Sequence, residues 1–453
     1  MAVTARNALL REVSDALGDR TLIWAGLRGS DAESLVDLPQ YGANFSMIDA
    51  HRSRPLAASV AYEELAQRRE DMDGWDIAEH PEAPATLAFR RRLLAATVTP
   101  CALATYRASR FLSSIWFARQ DRCLNLSLFG DAQRAFEHKP WVEWSIAQAG
   151  VPGLDWRYIA DEEQLTARDY LADGPVMLRR STSSGGSGFT LATDAQQLLE
   201  SWPRQEEGYV GLSRYLPDAT PLNVGGVVWR DAVTVHHASV QLVGLAQCTT
   251  RAFGHCGNDF AAAKQIPAQV LDQVEADTAK VGRWLAGHGY LGAFGVDYLV
   301  SDGIARFTEV NPRFQGSTSA SCRLSVETGL PCLLLEHVAA FLGLRPSRRP
   351  PLRRQVTEAP DLAQVVVHWT GAEPKALDDA ALARAIRRVD PLALADVRPP
   401  TSVEVAPGAT VARFGTRRAL TATGRDLPDD WRSAITKWNT QMKDVRDAAK
   451  SVR

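Results

Sequence analysis

The chain has 453 residues, 45% hydrophobic and 23% charged, with a net charge of −2, which suits a globular protein of about three domains at ~150 residues each. That near-neutral balance supplies no field to recruit nucleic acid or an anionic membrane, and no apolar run approaches the ~20 residues a bilayer span needs. The N-terminal segment carries Asp and Glu and lacks an apolar core, so no signal peptide is expected. Six cysteines (Cys101, Cys123, Cys248, Cys256, Cys322 and Cys332) include no CxxC pair. They read as buried thiols of a reducing, cytoplasmic compartment. Cys248, His255 and Cys256 have neither the number nor the spacing of a zinc site.

Thr21–Ala25 and Asn44–Ile48 read as buried strands, Leu87–Ala96 as a helix, and Cys101–Tyr106 and Leu124–Leu128 as further strands. The alternation predicts an α/β domain over residues 1–130, without the GxGxxG turn of a dinucleotide site. Lys139–Ala149 follows as a helix with Pro140 in its first turn and Gly150 after its end. Pro175–Arg179 is a strand that feeds the glycine- and serine-rich stretch Ser181–Gly188. Tyr209–Leu216 and Ala232–Val243 are strands; alternation in the second puts Val233, Val235, His237, Ser239 and Gln241 on one side. Gln269–His288 is an amphipathic helix whose Val270, Val274, Val281 and Leu285 share a face, and Cys332–Leu342 is a buried helix.

Arg345–Gln355 holds five arginines and three prolines and is expected to be a linker. A nucleic-acid patch is the sharper alternative, but the stretch lacks interleaved aromatics. Beyond it a smaller α/β domain is expected, with strands at Val365–His368 and Ser402–Ala406. On its terminal helix, Trp431, Ile435, Trp438, Met442 and Val445 form a stripe that packs either on the body of the protein or on a partner subunit, which leaves a homodimer open.

The richest stretch is Gly292–Thr318. Ala293–Val300 and Ile304–Val310 form a β-hairpin about the turn Ser301-Asp302-Gly303. With a symmetric three-residue loop, Asp297 opposes Phe307, and Asp297, Phe307, Glu309 and Asn311 share a face. Asp297 then lies diagonal to Glu309 at roughly 7–8 Å. Two anionic oxygen donors and a neutral one, converging there, suit Mg²⁺ held together with substrate phosphates. The plainer alternative is a solvated polar edge, and a one-residue register slip separates the carboxylates. Upstream, the glycines of Ser181–Gly188 let backbone donors approach a phosphate, and Arg179-Arg180 bring charge to the mouth of that loop, although it lacks the GxxxxGK[ST] pattern.

In this order, Lys139 before its helix, PVMLRR with its glycine-rich loop, VGLSRYL, and GAFGVDYLV followed by ARFTEVNPRFQGS resemble the ATP-grasp superfamily over residues 130–342. The pattern is most similar to the carboxylate–amine ligases of that superfamily. The resemblance implies an α/β (α+β) architecture: an N-terminal α/β domain (1–130), a central ATP-grasp fold of two α+β subdomains (131–344), the linker (345–355) and a small C-terminal α/β domain (356–453). It implies that Asp297, Glu309 and Asn311 bind Mg²⁺, with Mn²⁺ as an alternative, bridging the phosphates of ATP. Lys139 contacts the α-phosphate side, Arg179 stands where the family usually has lysine, and Ser183, Ser184, Gly185, Gly186, Ser187 and Gly188 form a flap. Leu216 ends a hinge over Tyr209–Leu216 that receives adenine, Ser213 stands where a carboxylate is common, and Arg313 is the catalytic cation facing an acyl phosphate.

The implied activity is ATP-dependent ligation of a small-molecule carboxylate to an amine, releasing ADP and phosphate, on amino acids or small peptides. Another phosphoryl-transfer enzyme on the same scaffold and a non-catalytic nucleotide binder are the alternatives. His236, His237, Gln241, Arg251 and Arg323 are polar groups suited to a substrate pocket, and equally to the surface or a satisfied core.

Overall fold

The apolar runs before residue 130 become a five-stranded parallel sheet in the order β3-β2-β1-β5-β6. Its strands are β1 (Thr21–Arg28), β2 (Tyr41–Ile48), β3 (Ala58–Ala61), β5 (Cys101–Thr105) and β6 (Cys123–Leu126). The structure is a computed structural model that describes residues 4–72, 82–183 and 185–444. Ser184 of the expected flap and Val445 of the expected stripe lie outside the described residues. Helices cover both faces of the parallel sheet, which is why its strands read as unbroken apolar runs. Ile23 and Ala25 pack with Phe89 and Leu112 on one side. Leu22 and Trp24 pack with Leu333, Val338 and Phe314 on the other. The N-terminal sheet therefore shares a core with the segment that carries the hairpin, and the C-terminal end of β1 abuts it.

A small antiparallel sheet follows, ordered β7-β10-β8-β9, from β7 (Arg157–Ala160), β8 (Val176–Arg179), β9 (Phe189–Ala192) and β10 (Tyr209–Arg214). Leu178, Val210 and Leu212 form its own small core with Leu198 and Trp202.

The remaining large sheet has eight strands in the order β15-β14-β11-β12-β13-β16-β20-β18. They are β11 (Thr220–Val228), β12 (Val233–Val243), β13 (His255–Asp259), β14 (Gly292–Ser301), β15 (Ile304–Asn311), β16 (Ala363–His368), β18 (Leu394–Val397) and β20 (Thr410–Thr416). The amphipathic helix, Ala268–Gly287, lays Val270, Val274, Val281 and Leu285 on it.

This sheet departs from the expected linker. β13 pairs with β16 through Gly257↔Val365, so the C-terminal region continues the central sheet. Within 345–355 the chain enters a helix at Leu352–Glu358, whose Leu352 and Val356 join the main core. Arg349 is buried: its Nη1 donates to Glu336 Oε1 at 3.0 Å and to the Pro331 carbonyl at 2.6 Å. A fully buried carboxylate at Glu336 needs a cation, and the arginine-rich stretch supplies it.

The expected strand Ser402–Ala406 shrinks to β19 (Glu404–Val405), caught in a three-stranded ribbon with β4 (Arg68–Arg69) and β17 (Lys375–Ala376). In the terminal helix Asp429–Asp444, Trp431, Ile435 and Trp438 are buried in the chain's own core, with Met442 packed against it. That stripe is therefore covered by the body of the protein. No described helix is long and apolar enough to cross a membrane.

Candidate active site

β14 and β15 pair from Ser301↔Ile304. The turn is thus the two residues Asp302 and Gly303, at φ 53° and 71°, the left-handed pair that suits the strand twist of a tight hairpin. It is one residue shorter than the expected loop. The regular register continues to Tyr298↔Phe307 and then shifts, so that Asp297 pairs with Glu309. Thr308 is the extra residue of a β-bulge, and its Oγ1 donates to the Asp297 carbonyl at 2.9 Å. The expected opposition of Asp297 to Phe307, and the face they were to share, are corrected accordingly: the two carboxylates face each other directly, and Phe307 turns to the main core with Val296 and Tyr298. Without the bulge, Glu309 would lie opposite Val296, whose side chain is buried in the main core, on the wrong face of the sheet.

Three side-chain amides hold Asp297. Its Oδ1 accepts from Asn223 Nδ2 at 2.5 Å and Gln241 Nε2 at 3.1 Å, and its Oδ2 from Asn311 Nδ2 at 3.0 Å. Ser317 Oγ in turn donates to Asn223 Oδ1 at 2.7 Å. Glu309 forms an ion pair with Lys139, which is itself buried. Burial and then the Glu309 charge push Asp297 up to about 7. Burial also acts to raise Glu309, but the Lys139 ammonium and its hydrogen bond outweigh it and hold that carboxyl down at about 2.

The donor set fits Mg²⁺. Two opposed carboxylates, Asp297 buried and Glu309 partly exposed, share a single ammonium, so a doubly charged cation answers the charge they leave uncompensated, and Asn311 Oδ1 is the neutral third oxygen. Among the described residues no group of three or more His, Cys, Asp or Glu gathers to cage a metal. That suits an ion which takes one or two carboxylates and completes its shell with phosphates and water.

Asp297, Glu309 and Asn311 line a cavity of about 400 Å³ together with Arg179, Gly185, Gly186, Ser213, Leu216 and Arg313. Those nine predicted residues are brought together, and Lys139 joins them through Glu309. Ser183, Ser187 and Gly188 belong to the adjoining loop but do not line the cavity. The loop is closed at its base by Arg180 N–H donating to the Gly188 carbonyl at 3.2 Å. Gly186 sits at φ 78° with its Cα against the Phe253 carbonyl, where any Cβ would collide.

Arg179 is buried and heavily engaged. It forms an ion pair with Glu143, donates to Tyr158 Oη at 3.1 Å and to the Thr308 carbonyl at 3.4 Å, and stacks 3.7 Å from the Trp156 ring centroid. Gly211 lies opposite it on β10, where the missing side chain leaves room for its stem. Arg313 Nη1 donates to the Phe314 carbonyl at 3.1 Å.

Of the five further polar candidates, only Gln241 lines the cavity. His236 bonds Glu336 at 3.1 Å, and burial holds it at about 4; His237 is likewise buried and held at about 3. Arg251 pairs with Asp71, and Arg323 with Asp396 at 3.2 Å. Sequence reasoning missed Asn223, Glu143, Tyr158 and Trp156. It also missed Arg425, which donates to Tyr215 Oη at 2.9 Å and the Leu216 carbonyl at 3.3 Å and so clamps the hinge from the C-terminal region. Contacts between residues 21 to 210 positions apart leave no local pattern to read.

No protein-family model matches the chain. Formate-dependent phosphoribosylglycinamide formyltransferase of Klebsiella pneumoniae (strain 342) is 27% identical over 205 residues, 43% of this chain and 47% of that protein. The chain therefore matches less than half the length of this curated relative.

Among solved structures, N5-carboxyaminoimidazole synthase from Aspergillus clavatus with ADP and 5-aminoimidazole ribonucleotide matches with a TM-score of 0.55 at 12% identity, covering 94% of this chain and 99% of that one. Biotin carboxylase from Campylobacter jejuni, in an ATP-type complex, gives 0.53 at 12%, covering 91% and 85%. The biotin carboxylase domain dimer of Hydrogenobacter thermophilus 2-oxoglutarate carboxylase, with MgADP and bicarbonate, gives 0.52 at 11%, covering 92% and 84%. The chain has the ATP-grasp fold of these proteins.

Proposed function

We propose that this chain is an ATP-dependent ligase that joins a carboxylate to an amine through an acyl phosphate, releasing ADP and phosphate. One observation carries the reading. The bulged hairpin sets Asp297 against Glu309 in a cavity whose other walls are the glycine loop and the hinge strand.

Met177, Tyr215, Leu216 and Leu299 give the cavity apolar wall beside the hinge strand, where a base can lie. Asp297, Glu309 and Asn311 would hold Mg²⁺, which would supply positive charge to the phosphates. Lys139 stands beside Glu309 as a second cation for phosphate oxygens. The substrate carboxylate attacks the γ-phosphorus, and ADP leaves with the electron pair of the broken P–O bond. The amine then attacks the carbonyl carbon of the acyl phosphate. Arg313, at the cavity wall, faces the oxygen that gains charge in that adduct. The adduct collapses with loss of phosphate, and the amine proton leaves to solvent. Gly185 and Gly186 cover the phosphates, which excludes water while the acyl phosphate exists.

The proteins to which the chain is similar are named for ribonucleotide, biotin, formate and bicarbonate chemistry, which lends no support to amino acids or peptides as substrates. ADP with Mg²⁺ is the pairing one of those names carries, which supports an adenine nucleotide with Mg²⁺, and Mn²⁺ has no such support. The test is trapping. ATP, Mg²⁺, hydroxylamine and a panel of acids should yield a hydroxamate with one acid in the absence of its natural amine. ATP binding without either hydroxamate or phosphate release across the panel would make the chain a nucleotide-binding protein instead.

A further inference from the structure

A buried guanidinium with unused nitrogens stands at the far end of the same cavity. Arg28 is the last residue of β1, 7% exposed, and lines the cavity. Its Nε and Nη1 are buried and have no hydrogen-bond partner among the described residues. The nearest carboxylate oxygen is Asp31 Oδ2 at 3.8 Å, beyond hydrogen-bond reach. Asp31 is already engaged by Arg413, whose Nη1 donates to its Oδ1 at 2.9 Å. Two buried guanidinium groups thus face Asp31, while Asp49 and Asp396 also act on Arg413, and Arg28 keeps donors to offer. Burying a charged donor without a bond is costly, and such groups in folded proteins call for an explanation.

The strand pairings show where this corner lies. β11 leaves the hinge at Thr220, and its pairs with β14 run Pro221↔Leu299, Asn223↔Asp297 and Gly225↔Gly295. Gln315 fills the space above Gly295, where a Cβ would collide with it. Next to Gln315 in the chain, Phe314 N–H donates to the Tyr106 carbonyl at 3.3 Å, and their rings lie 6.3 Å apart. Arg28 ends β1 and Tyr106 follows the C-terminal end of β5, at the edge of a parallel sheet where ligands bind. The carboxylate pair therefore separates the hinge end from the Arg28 end.

We infer that the substrate opposite the nucleotide carries a second, non-reacting oxyanion, a carboxylate or a phosphate group, that docks on Arg28. This rests on the ligase reading and names the class of its substrate. A guanidinium presents a planar array of N–H donors that matches either oxyanion, and it stays charged at every working pH. Arg28 is separate from Arg313, so the group it holds is an anchor and takes no part in phosphoryl transfer.

The test uses the whole chain, with and without Mg²⁺ and a non-hydrolysable ATP analogue. Succinate and glycerol 3-phosphate are titrated by calorimetry, with glycerol as the neutral control. At least one oxyanion should bind the wild type and raise its melting temperature, while glycerol does neither; the one that binds tells carboxylate from phosphate. Arg28→Met should weaken that probe about 10- to 100-fold, the scale of a lost hydrogen bond to a charged group. Its affinity for the analogue should stay within about twofold, and Arg28→Lys should fall between. Relieved of an unpaired buried charge, unliganded Arg28→Met should melt no lower than the wild type.

Three results overturn the anchor: equal probe affinity in Arg28→Met, no binding of either probe to the wild type at millimolar concentration, or a lowered melting temperature of the unliganded variant, which makes Arg28 a structural partner of Asp31. Failure of the analogue to bind the wild type counts against the nucleotide site, and the probe titrations without it still decide the anchor.

Discussion

The hairpin β14–β15 and the loop Ser181–Gly188 meet the same cavity and are built on opposite plans. In the hairpin the polar groups are committed. Asp297 takes three amide donors, Asn223 is held by Ser317, and Glu309 has Lys139. In the loop the hydroxyls of Ser181 and Ser183 are buried without a hydrogen-bond partner among the described residues. Gly185, Gly186 and Gly188 there take φ of 56°, 78° and 76°. A metal with strict geometry needs ligands fixed in advance, and the hairpin provides them. A phosphate cover has to move, so its donors are kept in reserve, at the cost of backbone entropy when they engage.

The largest effects should come from breaking the fixed half. Glu309→Gln removes the charge Mg²⁺ favours, and we expect ADP release to fall by about 10³-fold with an unchanged circular dichroism spectrum. Near-native turnover would remove the metal assignment.

A loss of about 10²-fold is expected for Arg313→Ala in hydroxamate formation, where one donor to the developing oxyanion is lost. Arg313→Lys should recover part of it, since an ammonium keeps the charge but not the planar fork. No change in either variant would make Arg313 an ordinary surface residue. Asn223→Ala should cost less again, about 10-fold in apparent Mg²⁺ affinity, because it removes a support for a ligand and spares the ligand itself. A loss as large as that of Glu309→Gln would mean that Asn223 itself takes part in the binding.

The contrast also explains what the sequence made legible. Alternating apolar residues around Asp302-Gly303 identify the hairpin, and side-chain parity puts Asp297 and Glu309 on one face. Thr308 carries no mark of a bulge, since it fits the alternation like any strand threonine. The shortened turn and the bulge together move the partner of Asp297 from Phe307 to Glu309, a shift of two residues, and a shift of two preserves the face. The grouping of the carboxylates was therefore readable although the register was not.

Arg345–Gln355 failed for a different reason. Proline and arginine describe a segment's local preference, whereas its place was decided by buried Glu336, which needed Arg349. The partners of Arg179 were out of reach in the same way: Glu143, Trp156 and Tyr158 gather around it only after three separate segments have folded.

The smallest expected effect tests the glycine loop. Gly186 sits at a positive φ with its Cα against the Phe253 carbonyl, so alanine there meets both a strained backbone conformation and a direct clash. Gly186→Ala should cost about 1–3 kcal/mol locally. The strain falls on a loop between β8 and β9 and not on a core strand, so the global melting temperature should stay nearly unchanged. The consequence should fall on the nucleotide. Affinity for a non-hydrolysable ATP analogue should drop by about 10-fold, the amount by which a strain of ~1.4 kcal/mol shifts an equilibrium. Limited proteolysis reads the same event: in the wild type a saturating analogue should slow cleavage within Ser181–Gly188, and in the variant it should slow cleavage less. Equal protection in both proteins would mean that the loop closes without its glycine tip against Phe253. Equal cleavage of the wild type with and without analogue would remove the loop from phosphate binding altogether, and the cavity would then hold its nucleotide by the hairpin and hinge alone.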